Sequence, residues 1–197
     1  MTNLIIISSE NDVKNEISII ERLFEDGLEL FHLRKPAWSE KDQDRFFSQI
    51  NPVFHSRISV HQNRESVKKW KLKYCHFKSG ERNFLSEKKE EIHYSTSFHS
   101  LKEMEEDQNH WHYCFIGPLF KSISKINYAG SLPENILLPS DKKVFALGGI
   151  TAENAVTAFQ KGFSGVAALG FIWEHSEKAS EHFAELKKTC RQNVHTH

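Results

Sequence analysis

Charge of one sign is what this chain most plainly lacks. Lysine plus arginine and aspartate plus glutamate balance at 26 each across 197 residues, so the net charge is zero. No overall field draws such a protein toward nucleic acid or an anionic membrane, and any charged ligand has to be held locally. Cysteine is also scarce: Cys75, Cys114 and Cys190 form no CxxC pair and cannot all pair with one another. A disulfide framework or a zinc knuckle is thereby disfavoured, and a reducing cytoplasm is the expected home. No apolar run approaches membrane-spanning length. The opening MTNLIIISSEND lacks both the basic flank and the small-residue cleavage site of a signal peptide. Linkers and low-complexity segments are absent as well, which leaves one domain, over residues 1–191, with a frayed tail at 192–197.

What the sequence does have is alternation. Short β-branched or aromatic runs recur about every 20 to 25 residues, separated by polar amphipathic stretches, as βα units do. The runs are Leu4 to Ser8, Leu28 to Leu33, Arg57 to His61, Lys73 to Phe77, Ile92 to Ser95, His112 to Ile116, Lys143 to Leu147 and Gly165 to Leu169. Their near-continuous apolar character suits strands buried on both faces of a parallel sheet. Eight is the number of a (β/α)8 TIM barrel. A doubly wound open sheet shares the alternation, but the strand count and two late glycine-rich turns favour the barrel.

Helices are expected from Asp12 to Phe24, with Asp12 as cap, from Ser39 to Gln49, from Thr151 to Gln160, ended by Gly162, and from Ser176 to Arg191. The charge run SEKKEE, Ser86 to Glu91, reads as a solvated loop or helix face. The twelve histidines show no HExxH-type spacing, and His110 and His112 flank Trp111 at the start of a strand. They read as solvated or hydrogen-bonded rather than as metal ligands.

In a barrel the ligand site lies at the C-terminal strand ends, with phosphate commonly held after strands seven and eight. VFALGGITAEN, Val144 to Asn154, is a strand, two glycines and a capped helix; FSGVAALGFI, Phe163 to Ile172, is a second strand ending at Gly170. Either glycine turn alone is ordinary. The pair at matching spacing points to a phosphate grip by backbone amides around Gly148, Gly149, Leu169 and Gly170. FIGPLFKSISKINYAG, Phe115 to Gly130, reads as a long functional loop in which Ser122, Ser124 and Lys125 offer hydrogen bonds and positive charge to an anion.

The collinear set GPLFKSISK, ALGGITAEN and GVAALGFI, with FHLRK early and YSTSFHSLKE in the middle, resembles the thiamine phosphate synthase family, including its thiazole tautomerase branch. The resemblance implies an enzyme joining a pyrimidine pyrophosphate to a thiazole phosphate, with Mg2+ assisting departure of pyrophosphate. By motif it implies that Arg34 and Lys125 contact the leaving pyrophosphate and that Ser97 stands near the reacting centre. Ser122, Ser124 and the glycine turns would hold the thiazole phosphate. Small phosphorylated thiazoles and pyrimidines are the implied partners, without nucleic acid or membrane, and a homodimer is left open.

Departures from the family fall on one side of the site. His32 stands where the family has Gln, Pro36 where it has Lys, and His61-Gln62 where it has Asn-Asp. HxGQxD reads His76, Phe77, Lys78, Ser79, Gly80, Glu81. Neighbouring Lys35 belongs on the other face of an extended strand. The magnesium side is thus altered and no metal ligand set is assigned, while the thiazole-phosphate side is kept. Three functions follow: a divergent synthase first, a thiazole tautomerase-like isomerase second, and a non-catalytic thiazole or thiamine phosphate binder third. His32, His61, His76 and His99 are candidate bases for the second, since the tautomerase branch's own His position is Pro118 here. On this reading Gly149→Asp abolishes phosphate-ligand binding, as calorimetry would show, without loss of core contacts.

Overall fold

The computed structural model describes residues 3–61, 64–84, 89–121 and 136–193. Eight parallel strands close into a barrel in sequence order, with the last pairing back onto the first. They are β1 Leu4–Ile7, β2 Leu30–Leu33, β3 Ile58–Val60, β4 Tyr74–Phe77, β5 His93–Phe98, β6 Tyr113–Ile116, β7 Val144–Leu147 and β8 Gly165–Ala168. Closure is made by Leu4, Ile5 and Ile6 against Val166, Ala167 and Ala168. The helices are α1 Glu16–Glu25, α2 Glu40–Gln49, α3 Glu65–Lys69, α4 Leu101–Glu106, α5 Ala155–Gln160, α6 Gly170–Trp173 and α7 Ala179–Asn193.

Side chains alternate in and out along each strand, and the apolar residues divide accordingly. Ile5, Ile7, Leu30, Tyr113, Phe115, Phe145 and Ala167 fill the barrel. Leu4, Ile6, Phe31, Leu33, Ile58, Val60, Cys114 and Val144 face the helices, where Leu23, Phe24, Phe47 and Phe183 meet them. Gly165 keeps the interior open for a larger neighbour, since a Cβ there would lie 2.5 Å from Phe145 Cε1. All three cysteines are buried free thiols, and burial pushes each up to about 12.

Three expected helix starts are corrected. α1 begins at Glu16, because Asn15 takes a left-handed conformation and supplies no side-chain cap; Asp12 instead accepts a hydrogen bond from Trp38 Nε1 at 3.2 Å. α5 begins at Ala155, after Thr151 and Asn154 have exchanged side-chain to backbone hydrogen bonds. Ser176–Lys178 forms a 3-10 turn before α7, which extends to Asn193. α2 starts as expected, with Ser39 and Asp42 forming a reciprocal capping box. Gly162 ends α5 at φ +86. Of SEKKEE, residues 86–88 lie outside the described residues, and residues 89–91 are not helical.

One buried ion pair staples the first two βα units. Lys35 Nζ contacts Glu16 Oε2 at 2.7 Å, with side-chain exposures of 2% and 9%, and also donates to the Asn11 carbonyl. Glu16 Oε1 has no hydrogen-bond partner, and burial raises the carboxyl above its ordinary value against the opposing pull of Lys35. Lys35 therefore faces the helices and not the barrel mouth. Lys35→Met would strand that carboxylate, and we expect a loss of about 3–5 kcal/mol at neutral pH in urea unfolding. The loss should shrink as pH falls toward 4.5, the ordinary Glu value, because the stranded carboxyl then takes up a proton in both states.

Candidate functional site

The interior positions near the C-terminal ends of β2 to β5 are polar, whereas those of β6 to β8 and β1 are apolar. Parallel register sets His32 of β2 beside Ser59 of β3. It likewise sets His76 of β4 beside Ser95 of β5, and Ser97 beside Phe115 of β6. His61 follows β3 directly, its amide donating to the Leu33 carbonyl. Three imidazoles from three successive strands thereby converge, at 0%, 6% and 3% exposure for His32, His61 and His76.

They form two hydrogen-bonded chains. In the first, Tyr113 Oη meets His32 Nε2 at 2.7 Å, and His32 Nδ1 meets His61 Nε2 at 2.8 Å. In the second, His76 Nδ1 meets Ser95 Oγ at 2.8 Å and His76 Nε2 meets Ser97 Oγ at 3.1 Å. The chains touch where the His61 and His76 rings stack, 4.0 Å apart and 26° from parallel. Burial holds all three imidazoles neutral: His32 and His61 are lowered well below 6.5, and His76 is brought down to about 3. Burial likewise pushes the Tyr113 phenol up. Neutral imidazole is donor at one nitrogen and acceptor at the other. Each chain can therefore carry its protons in either order without creating charge.

The rim above is ionic. Arg34 is half-exposed and paired with Glu10, and its backbone is fixed by Ser8, which exchanges two hydrogen bonds with it. Glu81, at the family's acidic position, pairs with Arg64 at 3.1 Å. Arg82, which no motif singles out, is buried at 8% exposure. It donates to Thr96 Oγ1 at 3.0 Å and to the Ser97 carbonyl, and pairs with Glu103 at 2.9 Å. It thus pins the 3-10 turn Ser79–Phe84 to β5 and α4. His99 stands apart from the cluster, exposed at the start of α4 with its amide capped by Glu103.

A hard magnesium ion prefers several oxygen ligands, usually including carboxylates. The described residues of the cluster offer three neutral nitrogens instead, and the rim carboxylates of Glu10 and Glu81 each face an arginine. This donor set does not fit magnesium. Gln62, Ser122, Ser124 and Lys125 lie outside the described residues.

After β7, Gly148 and Gly149 have φ of +95 and +65, a conformation glycine adopts at least cost. The chain leaving β6 lies on them: Leu119 N donates to the Leu147 carbonyl and Phe120 N to the Gly148 carbonyl. A Cβ would come within 2.6 Å of Pro118 Cβ at Gly148 and 2.3 Å of the Lys121 carbonyl at Gly149. Gly149→Asp is therefore not the clean test of phosphate binding that the sequence suggests, since it displaces this segment. After β8, Leu169 and Gly170 open α6, which Trp173 ties to β1 by donating to the Ile7 carbonyl at 2.7 Å.

These features define a (β/α)8 barrel with a polar rim at its C-terminal strand ends. Residues 4–172 match the family model of thiamine monophosphate synthase, and the chain belongs to that family. A thiamine phosphate pyrophosphorylase from Bacteroides thetaiotaomicron is 25% identical, with 98% of this chain and 100% of that one covered at a TM-score of 0.78. The corresponding protein from Pyrococcus furiosus is 15% identical, with coverage of 98% and 96% and a TM-score of 0.75. At 10% identity, N-(5'-phosphoribosyl)anthranilate isomerase from Pyrococcus furiosus shares the fold, with 97% and 100% covered at a TM-score of 0.62. No curated protein matches the sequence. Among the described residues, no helix is long and apolar enough to cross a membrane.

Gly149→Ala separates packing from charge at the β7 turn. We expect both Gly149→Ala and Gly149→Asp to lower thermal stability, each by roughly 1–3 kcal/mol or more, from the positive φ and the contact with Lys121. Equal stability of Gly149→Ala and the parent in a melting experiment would refute this account of the turn.

Proposed function

We propose that this member of the family binds a thiazole phosphate at the ends of β7 and β8 and moves a proton on the heterocycle, as a tautomerase-like isomerase. The observation that carries the reading is the pair of hydrogen-bonded imidazole chains, with no carboxylate among the described residues of the cluster. A 1,3-proton shift removes a proton at one atom and returns one at another, so it needs a group that both accepts and donates. His76 with Ser97 is suited to this. Ser97 can take the proton from one atom of the thiazole ring as it passes its own to Nε2, and the reverse transfer returns a proton to the other ring atom, while Nδ1 stays hydrogen-bonded to Ser95. Tyr113, His32 and His61 form a second path of the same kind. Phosphate held at the glycine turns would orient the ring over these groups, which is positioning rather than chemistry.

The test is conversion of thiazole carboxylate phosphate between its tautomers, followed by absorbance or NMR in buffer containing a chelator. Acceleration by the protein is expected. It should fall by roughly 10²–10⁴ in His76→Gln, and by less in Ser97→Ala, in line with loss of a general acid-base group. Absence of acceleration by the parent protein would end this reading, and tight binding of the thiazole phosphate without turnover would favour a non-catalytic binder.

A synthase is the second reading, favoured by Arg34 at the rim beyond β2 and Ser97 on β5. It requires that the pyrimidine pyrophosphate and the thiazole phosphate give thiamine phosphate, and that they do so only when magnesium is added.

A further inference from the structure

We propose that His32, His61 and His76 form a three-imidazole site for a borderline divalent transition ion, with zinc as the natural occupant. The inference goes beyond the isomerase reading and does not rest on it.

Convergence is the first observation. One ring nitrogen from each histidine lies within 4.8 Å of the other two. In a tetrahedral zinc site, Zn–N bonds of about 2.0–2.1 Å place the nitrogens roughly 3.3 Å apart. The closest pair here, His32 Nδ1 and His61 Nε2, is at 2.8 Å, so an ion would replace the shared proton and spread the two rings slightly. The stacked His61 and His76 rings must also turn about their side-chain bonds, so that both lone pairs meet the ion.

The second observation is what stands behind the nitrogens. A metal-bound histidine usually gives its other ring N–H to a fixed acceptor, which sets its tautomer and orientation. His32 coordinating through Nδ1 keeps Nε2 against Tyr113 Oη at 2.7 Å. His76 coordinating through Nε2 keeps Nδ1 against Ser95 Oγ at 2.8 Å. In both cases the remaining partner is already in place. Coordination would release Ser97 from His76, leaving that hydroxyl beside the ion.

Charge and ligand type decide which ion. Imidazole nitrogens suit zinc, cobalt, nickel and copper, whereas magnesium and calcium want oxygen. The surroundings are positive: Arg34 and Arg82 both act on His76, although Arg34 also faces Glu10 and Arg82 faces Glu103 and Asp107. Lys78 adds a further positive charge near His61 and His76. Three neutral ligands leave a dication uncompensated, so the open fourth position should take hydroxide or an anionic group of a ligand. The ion occupies the nitrogens that a proton relay uses, and hence zinc loading and relay turnover exclude one another.

The experiment uses the full chain, freed of metal with a chelator and desalted, and titrated with Co2+ while visible d–d absorption is recorded. Saturation at one ion per chain, reversal by zinc and indifference to magnesium are expected. In His61→Gln, with folding checked by circular dichroism, the saturable band should vanish, although surface histidines such as His99 and His112 remain. Tyr113→Phe leaves all three ligands and should weaken binding by roughly 10–100-fold. A parent protein without a saturable band overturns the proposal. So does a band unchanged in folded His61→Gln, or in Tyr113→Phe should His61→Gln fail to fold. Because the readout is the spectrum of the ion, it is independent of any assay of proton transfer.

Discussion

An eight-stranded barrel has an interior only as wide as the side chains that fill it, and that confinement governs both the fold and the site. On the β1, β7 and β8 side the space is filled by Ile5, Ile7, Phe145 and Ala167. On the β2 to β5 side it is filled by imidazoles and hydroxyls, most of them cut off from water and so left to satisfy one another. His32, His61, His76, Ser95, Ser97 and Tyr113 are joined by hydrogen bonds for this reason. Their mutual geometry is fixed by strand register, so the chemistry of the cluster is a property of the barrel rather than of any one loop.

The same confinement explains what was legible in the sequence. Strands buried on both faces are continuous apolar runs, and seven of the eight were located to within a residue or two at each end. β5 is the exception: five of the six residues of HYSTSF carry a hydroxyl or an imidazole, and it runs past Ser95 to Phe98 with Ser95 and Ser97 bonded to His76 inside the barrel and Thr96 to Arg82 on the other face. Helix starts were less legible where backbone conformation outweighed cap preference. Asp12 has the right chemistry for a cap, yet a left-handed Asn15 begins α1 later.

The site was legible by residue and not by assembly. His32, His61 and His76 each drew notice as strand-end histidines, but one at a time each reads as a satisfied core group. Nothing in their spacing announces that three strands bring them into contact, because parallel register is a tertiary fact. Arg82 gave no signal either: it lies in a charged turn, and only the fold shows that it holds Thr96, the Ser97 carbonyl and Glu103 together. The glycines after β7 were legible as a turn, whereas their neighbour was not. The structure adds the chain's own segment from Pro118 to Lys121, which lies against them.

That segment has a consequence for how the barrel can change. The connection leaving β6 and the turn leaving β7 share one volume, with backbone hydrogen bonds from Leu119 and Phe120 across it. They behave as a single part made of two pieces of chain. Neither can be exchanged for the corresponding piece of a relative unless the other comes with it, so this face of the barrel can be remodelled only across both strand ends at once.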